Sequence, residues 1–222
     1  MLSCGNVGKT YSTERGPVTA VRGINLEVPR GQFAAIVGRS GSGKSSLMAM
    51  IGGLSRPTRG VVLVEDTEIW ALPDDDMAEF RNRQIGFVFQ LPSLLPSLRV
   101  VDNVALPALL GRRQDSAAAY KAAAGLLDQL GLAEHIDAYP TELSAGEQRR
   151  AAIARAMIND PSLLLADEPT SDLDEPTESE IMEQFRALNR DRGVTLIMVT
   201  HNLRLAEQAD RVLHIADGGL VS

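Results

Sequence analysis

The run Gly38-Arg39-Ser40-Gly41-Ser42-Gly43-Lys44-Ser45 follows directly on the apolar stretch Phe33-Ala34-Ala35-Ile36-Val37, an order of strand, glycine-rich loop and helix start. Glycines let a backbone fold tightly enough for several N–H groups and a helix N-terminus to converge on one anion. Lys44 adds a positive charge at that point, and Ser45, with Ser46 beside it, a hydroxyl suited to Mg²⁺. A loop that served only as a turn would need neither the lysine nor the serine. The run therefore predicts a phosphate cradle at the end of a buried strand.

A chain of 222 residues, 44% of them hydrophobic, can bury roughly 70% of the surface its unfolded form exposes, enough for one α/β domain. No apolar run approaches the ~18 residues of a membrane span, so a membrane role must come through a partner and not by direct insertion. The net charge of −7 argues against binding nucleic acid or anionic lipid. The single cysteine, Cys4, excludes an internal disulfide and reads as a strand residue. No charged segment leading into an apolar one opens the chain, and a cytosolic setting is expected.

Three continuous apolar runs, Phe33–Val37, Leu163–Ala166 and Thr195–Val199, lack the alternation of a half-exposed strand and read as strands buried on both faces of a parallel sheet. Helical patterning at Gly43–Ile51, Glu175–Asn189 and Leu203–Gln208 alternates with them. The expectation is a doubly wound core whose ligands sit at the carboxyl ends of the strands. The N-terminal segment, with Val61–Val64 and Ile85–Phe89, looks β-rich. Val100–Met157 looks almost wholly helical and is expected to form its own lobe, with Pro92, Pro96 and Pro107 breaking the approach to it. The alanine-rich stretch Ser116–Leu130 has the composition of a surface helix.

Leu163-Leu164-Leu165-Ala166 leads into Asp167-Glu168-Pro169, two adjacent acids just past a buried strand. Such a pair repels itself near a low-dielectric core, and a metal ion or a water to be activated is a natural reason for it. Successive strand residues point to opposite sides, so Asp167 is assigned to metal and Glu168 to the role of base. Ser144, followed three residues later by Glu147, is a capping-box pattern that predicts a helix beginning at Ala145. A second helix N-terminus able to attract phosphate is spare in one chain, unless it serves a nucleotide held by another copy.

Tyr11, the loop Gly38–Ser45, Gln90, Leu143–Glu147, Leu165–Thr170, Ser171-Asp172-Leu173-Asp174 and His201 occur in the order and approximate spacing of the ATP-binding cassette ATPases of membrane transporters, which the chain resembles over nearly its whole length. Ile51–Leu54, Arg81–Gln90, Asp102–Pro107 and Met198–His201 look like the lipoprotein-releasing and macrolide-exporting group within that family. The resemblance implies a P-loop NTPase: a nucleotide-binding core with a β subdomain over about 1–90 and 159–222, and a helical subdomain over about 91–158 carrying the signature Leu143–Glu147. It implies a homodimer packed head to tail, with ATP between the phosphate loop (Gly38, Arg39, Ser40, Gly41, Ser42, Gly43, Lys44, Ser45, Ser46) of one copy and Ser144, Ala145, Gly146 and Glu147 of the other. Tyr11 would stack on adenine and Lys44 hold the β and γ phosphates. Ser45, Gln90 and Asp167 would surround Mg²⁺, Glu168 deprotonate the attacking water, His201 contact the γ-phosphate and Asp174 reach across the dimer. The implied partner is an integral membrane permease, with the chain peripheral on the cytoplasmic face of the inner or plasma membrane. A regulatory cassette of the cell-division kind would have the same nucleotide site. Two departures stand out: Ala145 replaces a usual glycine, adding a Cβ near the partner's phosphate, and Glu147 replaces the commoner glutamine.

Overall fold

The computed structural model describes residues 1–14, 16–111 and 115–221. In chain order the strands are β1 (Leu2–Thr13), β2 (Gly16–Val28), β3 (Phe33–Val37), β4 (Arg59–Val64), β5 (Thr67–Glu68), β6 (Ile85–Val88), β7 (Leu163–Asp167), β8 (Thr195–Thr200), β9 (Arg211–Ala216) and β10 (Gly219–Val221). The helices are α1 (Lys44–Ile51), α2 (Asp74–Gln84), α3 (Val100–Leu110), α4 (Ser116–Gln129), α5 (Ala145–Met157), α6 (Glu175–Arg192) and α7 (Leu203–Ala206). They build an antiparallel sheet ordered β2-β1-β4-β5 and a larger sheet ordered β10-β9-β3-β8-β7-β6.

The three apolar runs become β3, β8 and β7, parallel neighbours at the centre of the larger sheet. Every residue of β3 and β8 is buried, yet the two faces go to different places. Phe33, Ala35, Val37, Leu164, Ala166, Leu196 and Met198 face one hydrophobic cluster; Ala34, Ile36, Leu163, Leu165, Ile197 and Val199 face another. The second cluster fills the space between the two sheets around α1, with Val7, Ile24, Leu47, Met50 and Val62. Period-two alternation with apolar side chains on both faces is what a sheet covered on both sides requires.

Three points of the sequence reading change. Ile85–Val88 does not join the N-terminal β layer: as β6 it is the outer parallel strand of the core sheet, in register with β7 from Ile85 opposite Leu163 to Val88 opposite Ala166. Pairing across so long a stretch of chain is invisible to local patterning. The helical segment also has no core of its own. Val100, Val104, Leu127 and Ile153 from α3, α4 and α5 share one continuous cluster with the β3, β7 and β8 side chains and with Phe185 of α6. Pro107 lies inside α3 and does not break the approach to it; the helix runs on for three more residues, to Leu110. The alanine-rich stretch becomes α4, capped by Asp115, whose side chain accepts from the Ala118 amide at 2.8 Å. It is half-buried through Ala119, Ala123, Leu126 and Leu127.

Candidate nucleotide site

The loop after β3 wraps into α1 through Gly43, whose φ of 104° is the left-handed conformation that glycine tolerates. A Cβ there would also lie 2.2 Å from the Ala20 carbonyl oxygen of β2. No side chain caps α1, in contrast to α4, α5 and α6, so its first amides are left for an anion. Lys44 is only 8% exposed, and its ammonium donates to the carbonyls of Gly38 and Arg39 at 2.7 and 3.0 Å. The charge is thus held against the loop itself, at the floor of the cleft.

That cleft, about 660 Å³, is lined by Ala20, Ser40–Ser46, Gln90, Asp167, Glu168 and His201. Its walls come from the segments following β3, β6, β7 and β8, the carboxyl ends of four parallel strands, where ligands of such sheets bind. Ala20, on β2, also lines the cleft, and no motif pointed to it.

Asp167 is the last residue of β7 and half-buried. Burial raises its carboxyl above the usual range, opposed by a hydrogen bond from Ser45 and the charge of Lys44. One of its oxygens, Oδ1, is buried with no protein partner. Glu168 has already left the strand: its φ of 46° lies in the left-handed region, so it is this turn, and not strand alternation, that separates the two acids. Its amide donates to the Val199 carbonyl at 2.8 Å, and its Oε2 lies 2.9 Å from His201 Nδ1.

Tyr11, 39% exposed, stands beside the cleft, its hydroxyl 3.4 Å from Ser46 Oγ. The Lys9 ammonium lies 5.0 Å from the ring centroid and occupies one face. Gln90 is exposed in the cleft wall, just after β6. Ser144–Glu147 does not line this cleft. Helix α5 does begin at Ala145, and the capping box closes as expected: the Ser144 amide donates to Glu147 Oε2 at 2.7 Å, and Ser144 Oγ accepts from the Glu147 amide at 3.3 Å. The Ser144 amide, together with the Ser144 hydroxyl donating to the same oxygen at 2.8 Å, holds the Glu147 carboxyl below the usual range. Ser144 and Ala145 are exposed, whereas a Cβ on buried Gly146 would sit 2.6 Å from Thr177 Cγ2 of α6. Ala145 is thus tolerated by the fold, whereas a side chain at Gly146 would force Thr177 to shift. Asp174 caps α6, accepting from the Thr177 amide at 3.0 Å, which lowers its carboxyl.

Residues 21–171 match the ABC transporter family. The lipoprotein-releasing system ATP-binding protein LolD of Myxococcus xanthus (strain DK1622) is 44% identical over 218 residues, spanning 98% of this chain and 97% of that one. The macrolide export ATP-binding/permease protein MacB of Syntrophobacter fumaroxidans is also 44% identical, over 98% of this chain and 31% of its own length. Among solved structures, the ATP-binding cassette MJ0796, dimeric in a post-hydrolysis state bound to ADP and Pi, superposes with a TM-score of 0.93 at 36% identity, covering all of this chain and 97% of that one. A phosphate loop, a carboxylate pair and a polar strand-end residue gathered in one cleft, on a fold shared with a nucleotide-bound cassette, agree with the sequence match: the chain belongs to the ABC transporter family, as one of its ATP-binding cassettes.

Proposed function

We propose that this chain is the ATP-hydrolysing subunit of an ABC transporter and works as a head-to-tail pair of cassettes that drives a separate membrane protein, in export or in transmembrane force transmission. The observation that carries this reading is the convergence of Lys44, Ser45, Gln90, Asp167, Glu168 and His201 on one cleft. Lys44 and the uncapped start of α1 hold the triphosphate, and Tyr11 offers its free ring face to the adenine. Mg²⁺ fits the oxygen donors present: the Ser45 hydroxyl, the Gln90 amide oxygen and the unpartnered Oδ1 of Asp167. When bound, that ion neutralises charge on the β and γ phosphate oxygens. Glu168 orients the attacking water and takes its proton as the water oxygen bonds to the γ-phosphorus and the bond to the bridging oxygen breaks. His201, already hydrogen-bonded to Glu168, is placed to meet the γ-phosphoryl group.

Because Ser144–Glu147 stands apart from its own cleft, it serves a nucleotide in a second copy, and Asp174 reaches across the same seam. A match to LolD along nearly its full length supports assignment to the lipoprotein-releasing and macrolide-exporting group. Among the described residues no helix is long and apolar enough to cross a membrane. Attachment to the cytoplasmic face is through the partner. A second cleft of about 440 Å³, lined by Leu54, Arg81, Phe89, Pro107 and Arg155 among others, offers that partner an apolar foothold next to Gln90.

Disulfide trapping tests the pairing. With Glu168→Gln to block turnover, Ser40→Cys and Ala145→Cys should crosslink between copies on mild oxidation in the presence of Mg²⁺ and ATP, and not without nucleotide. Cys4 does not compete, because burial pushes its thiol up to about 12. Only uncrosslinked chains, both alone and with the membrane partner, would refute the head-to-tail arrangement.

A further inference from the structure

Helix α5 sends two arginines to the segment that follows β6. Arg149 Nη1 donates to the Phe89 carbonyl at 2.6 Å, and Arg155 donates to the carbonyls of Pro92 and Ser93 at 2.8 and 2.7 Å. Arg149 is 4% exposed, and its Nε is buried with no partner. Burial lowers its pKa, partly offset by the charge of Asp172 in the turn after the carboxylate pair. A guanidinium so deeply buried, with so few partners, is costly, and an apolar side chain would fill the space at less expense. What the arginine secures is the peptide immediately before Gln90. Arg155, pinned to residues 92 and 93, fixes the same segment on the other side of Gln90.

We propose that Arg149 is a positioning residue for hydrolysis: by gripping the Phe89 carbonyl it makes Gln90 travel with α5, so that Gln90, facing this copy's own nucleotide, and the start of α5, facing that of the second copy, move as one body. Arg155 is the second pin. The inference rests on the assignment of Gln90 to the bound nucleotide and its metal.

The test compares Arg149→Met, which keeps length and removes the donors, with Arg149→Lys, which keeps a cation able to reach the carbonyl. In the full chain without nucleotide, amide exchange over residues 89–93 should be at least about tenfold faster in the Met variant, with the Lys variant closer to the parent. In the complex with its membrane partner, kcat should fall about tenfold with KM for ATP little changed, and Lys should restore most of the rate. Combined with Gln90→Ala, Arg149→Met should add no more than about a twofold further loss, because both act through one group. Unchanged exchange over 89–93, an unchanged kcat in a background where Gln90→Ala is impaired, or multiplicative losses would each overturn the proposal. If Gln90→Ala itself retains full turnover, the assignment of Gln90 fails first and takes this one with it. Should the Met variant not fold, Arg149→Gln, which is shorter and uncharged, takes its place: slower turnover with exchange over 89–93 raised alongside supports the proposal, and unchanged exchange over 89–93, with or without lost turnover, refutes it.

Discussion

Asp167 and Glu168 share a peptide bond and almost nothing else. The first is a strand residue whose carboxylate is partly withdrawn from water and bonded by Ser45; the second sits in a left-handed turn against His201. Adjacency at the end of a buried strand, read together with the phosphate loop, made them legible as a candidate functional pair, since two neighbouring acids there repel each other. What separates their side chains is φ at Glu168, which no residue type announces. Glu168→Gln keeps the shape and a hydrogen bond to His201 but cannot take a proton. It should bind ATP normally and lose at least about a hundredfold in turnover, about 2.7 kcal/mol of barrier, in a steady-state ATPase assay of the assembled complex. Near-normal turnover would remove Glu168 from the role of base. Tyr11 shows a further case: the aromatic was visible in sequence, and the cation on one of its faces comes from Lys9, two residues away on β1, where alternate side chains share a face.

At the scale of elements, the clearest sequence signals were those whose physics is local. Ser144 and Glu147 close their capping box within one turn, so two residues and their spacing suffice to start α5. The Glu147 carboxyl is held below the ordinary glutamate range chiefly by the Ser144 amide and hydroxyl. A lowered folded-state pKa means a stabilising contribution that is present above the unfolded value of about 4.3 and is lost as pH falls through the lower folded value. The thermal-stability advantage of the parent over Glu147→Gln should therefore hold near neutrality and shrink in acid; a gap constant with pH would contradict this. Asn103 on α3 shows what patterning missed. It is 1% exposed, accepts from the Leu95 amide at 2.7 Å, and donates to the carbonyls of Leu95, Leu98 and Arg99. Those bonds clasp the loop between β6 and α3, with Pro92 and Pro96 in it, onto the helix. Asn103→Ala leaves buried polar groups without partners and should cost about 3 kcal/mol in denaturant unfolding. A loss under about 0.5 kcal/mol, within the range of ordinary surface changes, would show that the clasp is not structural.

For the whole molecule, the consequence of the fold is a helical layer that shares its core with one face of the parallel sheet while its first helix, α3, helps wall the groove beside Gln90. The groove proposed to receive the partner and the nucleotide cleft are thus neighbours through a few residues of chain. Leu54, 49% exposed and on the groove wall, is not part of the nucleotide cleft. Leu54→Glu should abolish co-purification with the membrane subunit after coexpression while leaving ATP affinity, measured by calorimetry, within about twofold, since a buried charge at an apolar contact is costly only when the contact forms. Retained co-purification would place the membrane partner elsewhere. The continuity of the helical layer with the sheet was not legible from composition. A run of apolar helices looks the same whether it buries its stripe against its own neighbours or against a distant strand.

By itself, the sequence determined the phosphate loop, the three fully buried strands, the carboxylate pair and the capped start of α5, because each depends on residue types a few positions apart and on backbone preferences that act over that range. Only the tertiary structure decided that β6 joins the core sheet, that four strand ends open into one cleft, that a side chain at Gly146 would force Thr177 to shift, and that two arginines of α5 hold the peptides on either side of Gln90. These depend on which distant surfaces meet when apolar faces are buried, and burial specifies how much surface must be covered without naming, in any one segment, what will cover it.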